Sequence, residues 1–390
     1  MTTAAAPVSP SAPALPFRDK GLANTVAAET QMSFIDGAKG VLEYVGIDID
    51  SLARQSTFEE TVFLLWNRRL PKAAELESFC AAVRAEYEVD ARVHDIVRAL
   101  PRSTPPMHAL RTLVSCLAHF DREADENSPE ANRRKALRLL AKTPTLIAMF
   151  DRHRKGKPFV APDRSIGVAE NFLWMLNGAR PTEAMSRALD ICLVLHADHG
   201  LNASTFAARV TIATLSDMYS AITTAVGTLK GPLHGGANQE VMEMLLEIGD
   251  IAKVDDCIMG KLSRKELVMG FGHSVYKAYD PRAGFLKTFA KQVATDTGNI
   301  KLYDMSRRIE EIMAREVAAK GIYPNVDFYS ATTYYSLGLD LDLFTCIFAM
   351  SRVGGWAGHC IEQLESNRLI RPQADYVGPH GVKYVAIGQR

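Results

Sequence analysis

The stretch STFEETVFLLWNRR, Ser56 to Arg69, reads as an α-helix from its first residue. Ser56 can cap the free amides, and Glu59 three positions on can reach back to the Ser56 amide, the reciprocal pattern of a capping box. Phe58, Val62, Leu65 and Trp66 then recur at helical spacing on one face. The same period returns in Leu76, Phe79, Cys80, Val83 and Tyr87 behind Pro71. It returns again in Leu302, Met305, Ile309, Ile312, Met313 and Val317, which run into a basic last turn and a glycine stop at Lys320-Gly321. Strand patterns are scarce. Only Met32 to Tyr44 predicts a short hairpin, around Asp36-Gly37. The expected class is all-α.

The chain has 390 residues, 47% hydrophobic and 23% charged, enough apolar surface for one large domain or two unequal ones. Its 45 basic residues balance 45 acidic ones, which excludes the broad electrostatic footprint of a partner such as nucleic acid or an anionic membrane. Recognition of an anion must therefore be local. Cys80, Cys116, Cys192, Cys257, Cys346 and Cys360 form no CxxC pair and read as reduced thiols, mostly in the core. Residues 1–19 have neither a signal nor a transit pattern and are expected to be a disordered tail. No apolar run approaches the roughly 18 residues of a membrane span, so a cytoplasmic protein is expected.

Four segments carry chemistry. Apolar spacing from Met185 through Leu189 and Cys192 runs on to His196 and His199, placing both imidazoles on the buried stripe of one helix. They are either core histidines bonded to backbone or site residues; HxxH without the glutamate and third ligand is a poor zinc pattern. GPLHGGAN, Gly231 to Asn238, puts His234 where backbone can approach a ligand closely, or is simply an interhelical turn. GFGHSVYKAYDPRA, Gly270 to Ala283, sets His273 behind two glycines with Lys277 and Arg282 nearby. Its glycine spacing is not that of a dinucleotide fingerprint. In GIYPNVDFYS, Asp327 sits among Val326, Phe328 and Tyr329. It is either an N-cap, one half of an ion pair, or a carboxylate whose desolvation makes it a stronger base. Arg352 in SRVGGW and Arg371 in LIRP lie in apolar contexts, where each needs a carboxylate from protein or ligand. The two glycine clusters bracket a helical block that could form a lobe closing over substrate.

Taken together, LHADHGLNAST, GPLHGGANQEVM, GFGHSVYKAYDPRA, YPNVDFYSA, SRVGGWAGHCIEQ and NRLIRP closely resemble the citrate synthase family, in the same order and at similar spacing, from about Lys20 to the C-terminus. The resemblance implies a large domain (20–235 and 331–390) and a small one (236–330), with the active site in the cleft between them. It also implies a homodimer, which could assemble further. On the family pattern His234 stabilises the enol of an acyl thioester, Asp327 is the general base and His273 polarises the 2-oxo carbonyl. His199, Arg282 and Arg352 match oxaloacetate ligands, and Arg371 matches the arginine lent by a partner subunit. Lys277 matches a basic contact to coenzyme A phosphates. Oxaloacetate and acetyl-CoA are then the substrates, with no metal and no further cofactor.

The chemistry needs these residue types for reasons of its own. A thioester methyl proton is so weakly acidic that a carboxylate removes it only when a preorganised donor meets the developing enolate oxygen. A substrate with two carboxylates suits forked arginine donors. Two departures stand out: Ser274 where bacterial members often have arginine, and Tyr44-Val45-Gly46 where YRG is frequent. They touch no catalytic role, but the first bears on coenzyme A binding. Two rival readings remain. One is 2-methylcitrate synthase, which uses propionyl-CoA and differs by one methyl, worth about 1–3 kcal/mol of discrimination. The other is a non-catalytic helical dimer acting as a scaffold, which predicts losses among the chemical residues.

Overall fold

A computed structural model of the protein describes residues 19–22, 24–273 and 275–390. The expected tail lies outside these except for Asp19, which accepts hydrogen bonds from the Asn24 amide and the Thr25 hydroxyl. Ser274 also lies outside them.

The chain enters through a small antiparallel sheet, β1 (Ser33–Asp36), β2 (Val41–Tyr44) and β3 (Ile47–Asp48), paired in sequence order. The expected hairpin is β1 with β2, Ser33 opposite Tyr44 and Asp36 opposite Val41. Between β2 and β3 both turn residues are left-handed, Val45 at φ 51° and Gly46 at φ 77°, as a two-residue type I′ turn requires. A β-branched side chain is strained there.

The remaining elements of the described chain are helices joined by loops, and the segment after α16 is mostly irregular. First come α1 (Ile49–Gln55), α2 (Phe58–Asn67), α3 (Ala73–Ala85), α4 (Ala91–Ala99), α5 (Pro106–Cys116), α6 (Pro129–Arg154), α7 (Val168–Asn177), α8 (Glu183–His196), α9 (Ala203–Ile212) and α10 (Met218–Leu229). A second group is α11 (Ala237–Ile248), α12 (Val254–Ser263), α13 (Pro281–Asp296), α14 (Ile300–Glu316) and α15 (Val326–Ser336), followed by α16 (Phe344–Glu365). Helices α11 to α15 pack mainly on one another, while α16 packs on α2, α6, α8, α9 and α10. The block expected over 236–330 thus ends inside α15, which runs on to Ser336. No helix among the described residues is long and apolar enough to cross a membrane.

Three expectations need correction. The cap of α2 is Thr57, whose hydroxyl accepts the Glu60 amide at 3.3 Å, and Ser56 instead donates to the Glu60 carboxylate at 2.8 Å. Glu59 turns away because a buried partner outbids the local one: it accepts the Val168 amide at the start of α7 at 2.8 Å. Asp190 of α8 accepts the Phe58 amide at 2.9 Å, so tertiary neighbours complete these caps. Next, α8 ends at His196, so His199 lies beyond the helix in the turn that follows. Finally, only Cys192, Cys346 and Cys360 are buried, the other three thiols being part-exposed.

Helix α16 is buried around nearly its whole circumference. Glycines allow this closeness: a Cβ on Gly354 would lie 2.7 Å from the Val62 side chain, and one on Gly355 would lie 2.3 Å from the Ala197 carbonyl. Trp66 locks the contact by donating its indole N–H to the Gly354 carbonyl at 2.8 Å. The end of α8 and the turn that follows it are thereby pressed against α16.

Candidate active site

A cleft of ≈ 590 Å³ opens between the two helical groups, and His199, His234, His273, Arg282, Asp327 and Arg352 all line it. Two expected residues do not. Lys277 is exposed outside the cleft, and Arg371 is exposed on the C-terminal segment. The expectation of a buried Arg371 therefore fails for the single chain, because LIRP leaves α16 as an irregular, largely exposed segment rather than entering the core.

One wall comes from the ends of α8, α9, α10 and from α16. His234 follows a tight turn in which its own amide bonds to the Gly231 carbonyl, and a Cβ on Gly235 would sit 2.3 Å from the Leu229 carbonyl. Its Nε2 meets the Ser204 amide at 3.3 Å and the Ser204 hydroxyl at 2.8 Å. The amide can only donate, so we assign Nε2 as the acceptor and the ring proton to Nδ1. Ser204 is held in turn by the Trp356 indole N–H at 3.1 Å. His199 meets the Tyr276 hydroxyl through Nε2 at 3.1 Å and lies edge-on to His273, ring centroids 5.3 Å apart. The preceding Asp198 is fully buried between His359 Nε2 at 3.2 Å and the Ser33 hydroxyl at 2.6 Å.

The other wall is built where two motifs far apart in sequence pair. The Gly272 amide donates to the Tyr323 carbonyl and the Asn325 amide to the Gly270 carbonyl, both at 2.9 Å. Gly270 and Gly272 sit at φ 81° and 85°, conformations that suit glycine. This brings His273 and Asp327 into the same cleft. His273 Nδ1 accepts the Val275 amide at 3.0 Å and the Tyr276 amide at 3.2 Å, which assigns the ring proton to Nε2. Asp327 lies in the first turn of α15, whose N-cap is Asn325, not Asp327. Its carboxylate accepts no hydrogen bond from the described residues.

The electrostatics follow from burial. Desolvation raises Asp327 to about 6, against the pull of Arg282. Desolvation, aided by the nearby arginines, also lowers His234 and His273 to about 4 and His199 well below its ordinary value. All three rings are neutral at pH 7. Arg282 is clamped by both oxygens of Asp280, at 3.0 and 2.8 Å. Arg352, equally buried, has no carboxylate partner among the described residues. Its Nε donates to the His196 carbonyl at 2.7 Å, its guanidinium lies over Phe348, and burial pulls its pKa down to about 10. A buried cation left in this state is a receptor for an anion.

The sequence reading missed Ser204, Tyr276, Asp198 and Asp280. Asp280 alone had a local signal, an acid immediately before a proline that opens a helix. Besides Arg282 it accepts the Val326 amide at 3.2 Å, joining the starts of α13 and α15. Among the described residues no three His, Cys, Asp or Glu side chains converge in a metal-binding arrangement.

A family model described as "Citrate synthase, C-terminal domain" matches residues 21–373. Citrate synthase 2 of Bacillus subtilis is 51% identical, over 95% of this chain and 99% of its own. A 2-methylcitrate synthase of Mycobacterium tuberculosis is 42% identical, over 95% and 93%. Among solved structures, the citrate synthase of the archaeon Thermoplasma acidophilum, in ternary complex with carboxymethyl coenzyme A and oxaloacetate, superposes with a TM-score of 0.90. It is 36% identical and covers 95% of this chain and 99% of that one.

Proposed function

The chain belongs to the citrate synthase family, and from that premise we propose that it condenses acetyl-CoA with oxaloacetate and water to give citrate and free coenzyme A. One observation carries the reading. A carboxylate raised to about 6 shares the cleft with two neutral imidazoles, each committed by the protein's own donors to one free N–H.

In this reading Asp327 takes a proton from the thioester methyl group while the Nδ1–H of His234 hydrogen-bonds the developing enol oxygen. Each group does what the other cannot: a neutral imidazole is a donor without being a strong acid, and the desolvated carboxylate is a base without a competing donor. The enol carbon then attacks the keto carbon of oxaloacetate, whose oxygen receives the Nε2–H of His273. Arg352 supplies the unmatched charge for one substrate carboxylate, with Arg282 and His199 orienting the other end. Water finally cleaves the thioester, releasing the thiol and making the synthesis favourable. No step calls for a metal or a redox group.

The finer features of the reading have support of different kinds. A large domain (20–235 with 331–390) and a small domain (236–330) would close on the cleft and exclude water from the enol. A homodimer is supported by the C-terminal segment, where Leu369, Tyr376, Val377, Val382, Tyr384 and Ile387 are exposed apolar side chains in want of a cover. Arg371 would reach a partner's cleft from that segment. Lys277 would meet coenzyme A only from outside the cleft rim. A cytoplasmic location accords with these substrates.

The test is thiol release on mixing the purified protein with oxaloacetate and either acetyl-CoA or propionyl-CoA. Release with acetyl-CoA preferred is expected. A clear preference for propionyl-CoA would move the assignment to 2-methylcitrate, and no release with either would leave only the scaffold.

A further inference from the structure

The β1–β2 hairpin gives the cleft only the apolar side chain of Ile35, yet both of its ends are bonded to loops that carry site residues. At its root, the Ser33 hydroxyl donates to Asp198 at 2.6 Å and accepts the Gly200 amide at 3.0 Å. The Tyr44 hydroxyl donates to the Asp198 carbonyl at 2.8 Å and accepts the Asp198 amide at 3.1 Å. These bonds flank His199 on both sides. At its tip, the Gly37 carbonyl accepts the Lys277 amide at 2.8 Å.

The tip contact is close enough to exclude any side chain. A Cβ on Gly37 would lie 2.2 Å from the Val275 carbonyl oxygen, and one on Gly40 would lie 2.6 Å from the Tyr279 carbonyl oxygen. Asp36 holds the turn in shape by accepting the Ala38 and Lys39 amides, both at 3.1 Å. Behind the docked segment, a Cβ on Gly321 would come within 3.3 Å of the Lys277 carbonyl. The segment is therefore gripped from two sides.

Three consecutive amides divide between the hairpin and the imidazole. Those of Val275 and Tyr276 donate to His273 Nδ1, and that of Lys277 donates to Gly37. A shift of the tip displaces the two donors that orient the ring. We propose that Gly37 and the turn from Asp36 to Gly40 are positioning residues for His273, and that the hairpin is a strap holding the His199 loop and the His273 loop in one register across the cleft. The strap acts through backbone alone, which is why glycine is needed at its tip. Its function rests on the reading of His273 given above.

The experiment compares the full-length protein with Gly37→Ala and Asp36→Ala. The first inserts a methyl between two backbones, and the second loosens the turn without a clash, so it still reads out if Gly37→Ala fails to fold. Turnover should fall roughly tenfold to hundredfold in Gly37→Ala and about threefold in Asp36→Ala, the scale expected of sub-ångström to ångström misplacement. The KM for oxaloacetate should stay within about twofold because the root and the arginines are untouched. The infrared stretch of the bound keto carbonyl, lowered by the His273 hydrogen bond in the parent, should move back toward its value in free oxaloacetate. A merely structural role would not move that band. An unchanged stretch in both variants overturns the inference, whatever happens to turnover. A failed reading of the cleft appears instead in the parent protein, as absence of thiol release.

Discussion

Arg352 and Arg282 face the same cleft from opposite walls, and the protein treats their charges differently. On the α16 wall, side chains are fixed by a packed helical core, through chains such as Trp356 to Ser204 to His234. Arg352 is left there with a carbonyl and an aromatic face, and no carboxylate among the described residues is bonded to it, Asp198 and Asp327 acting only from a distance. On the opposite wall, short glycine-marked segments pair with each other, and Asp280 neutralises Arg282 while tying α13 to α15. The first wall holds a charge in reserve for a ligand. The second uses its ion pair to hold itself together, a role suited to a wall assembled from turns.

Changing the base is the most severe way to break this arrangement. Asp327→Asn keeps the shape of the wall and should cut turnover by roughly a thousandfold or more, the upper range for a general base. Oxaloacetate affinity, followed by calorimetry, should stay near that of the parent. Near-normal turnover would show that Asp327 is not the base.

The two arginines offer a sharper contrast. Arg282→Leu strands Asp280 as a buried unpaired carboxylate and should cost about 3–5 kcal/mol in denaturant unfolding. Arg352→Leu removes an unpaired buried cation, so the protein should unfold no earlier than the parent while oxaloacetate affinity drops about a hundredfold, from the loss of a charge-assisted contact. Equal destabilisation by both changes would erase the distinction between the walls.

The smallest effect is that of pH. With Asp327 at about 6 and His234 and His273 at about 4, kcat/KM should fall as pH drops through 6, from protonation of the carboxylate alone. Stability takes its sign from the same groups. The histidines are below their unfolded value of about 6.5, so between about 6.5 and 4 the unfolded chain binds more protons and stability falls as pH falls. Asp327 works oppositely: raised above its ordinary value, it costs stability that is fully present above about 6 and disappears on acidification. The several histidines should prevail, giving a lower Tm at pH 5 than at pH 7. An unchanged or higher Tm at pH 5 would mean that these rings are not buried neutral.

The helical class was legible because its signals are local. The period of Phe58, Val62, Leu65 and Trp66 needs no knowledge of neighbours, whereas the expected glycine stop at Gly321 closes a short 3-10 turn (Ala318–Lys320) beyond α14, which already ends at Glu316. Their exact partners were not legible. Ser56 and Thr57 are equally good caps by type, and Glu59 left its local role for the Val168 amide on another helix. His199 continued the apolar pattern of α8 although the helix had ended, because a spacing rule does not register the turn that redirects the chain.

By itself the sequence determined that the protein is helical and which residues could do chemistry, since periodicity, caps and side-chain type are properties of short stretches. It also supplied, through six motifs in order, the family to which those residues belong. Only the tertiary structure decided which nitrogen of each histidine keeps its proton, which of two buried arginines is paired, and how far Asp327 is desolvated. Those properties depend on groups brought together from distant parts of the chain: Ser204 against His234, Asn325 against Gly270, Asp280 against Val326. Hydrogen bonds and desolvation act over a few ångströms of space, whatever the separation in sequence.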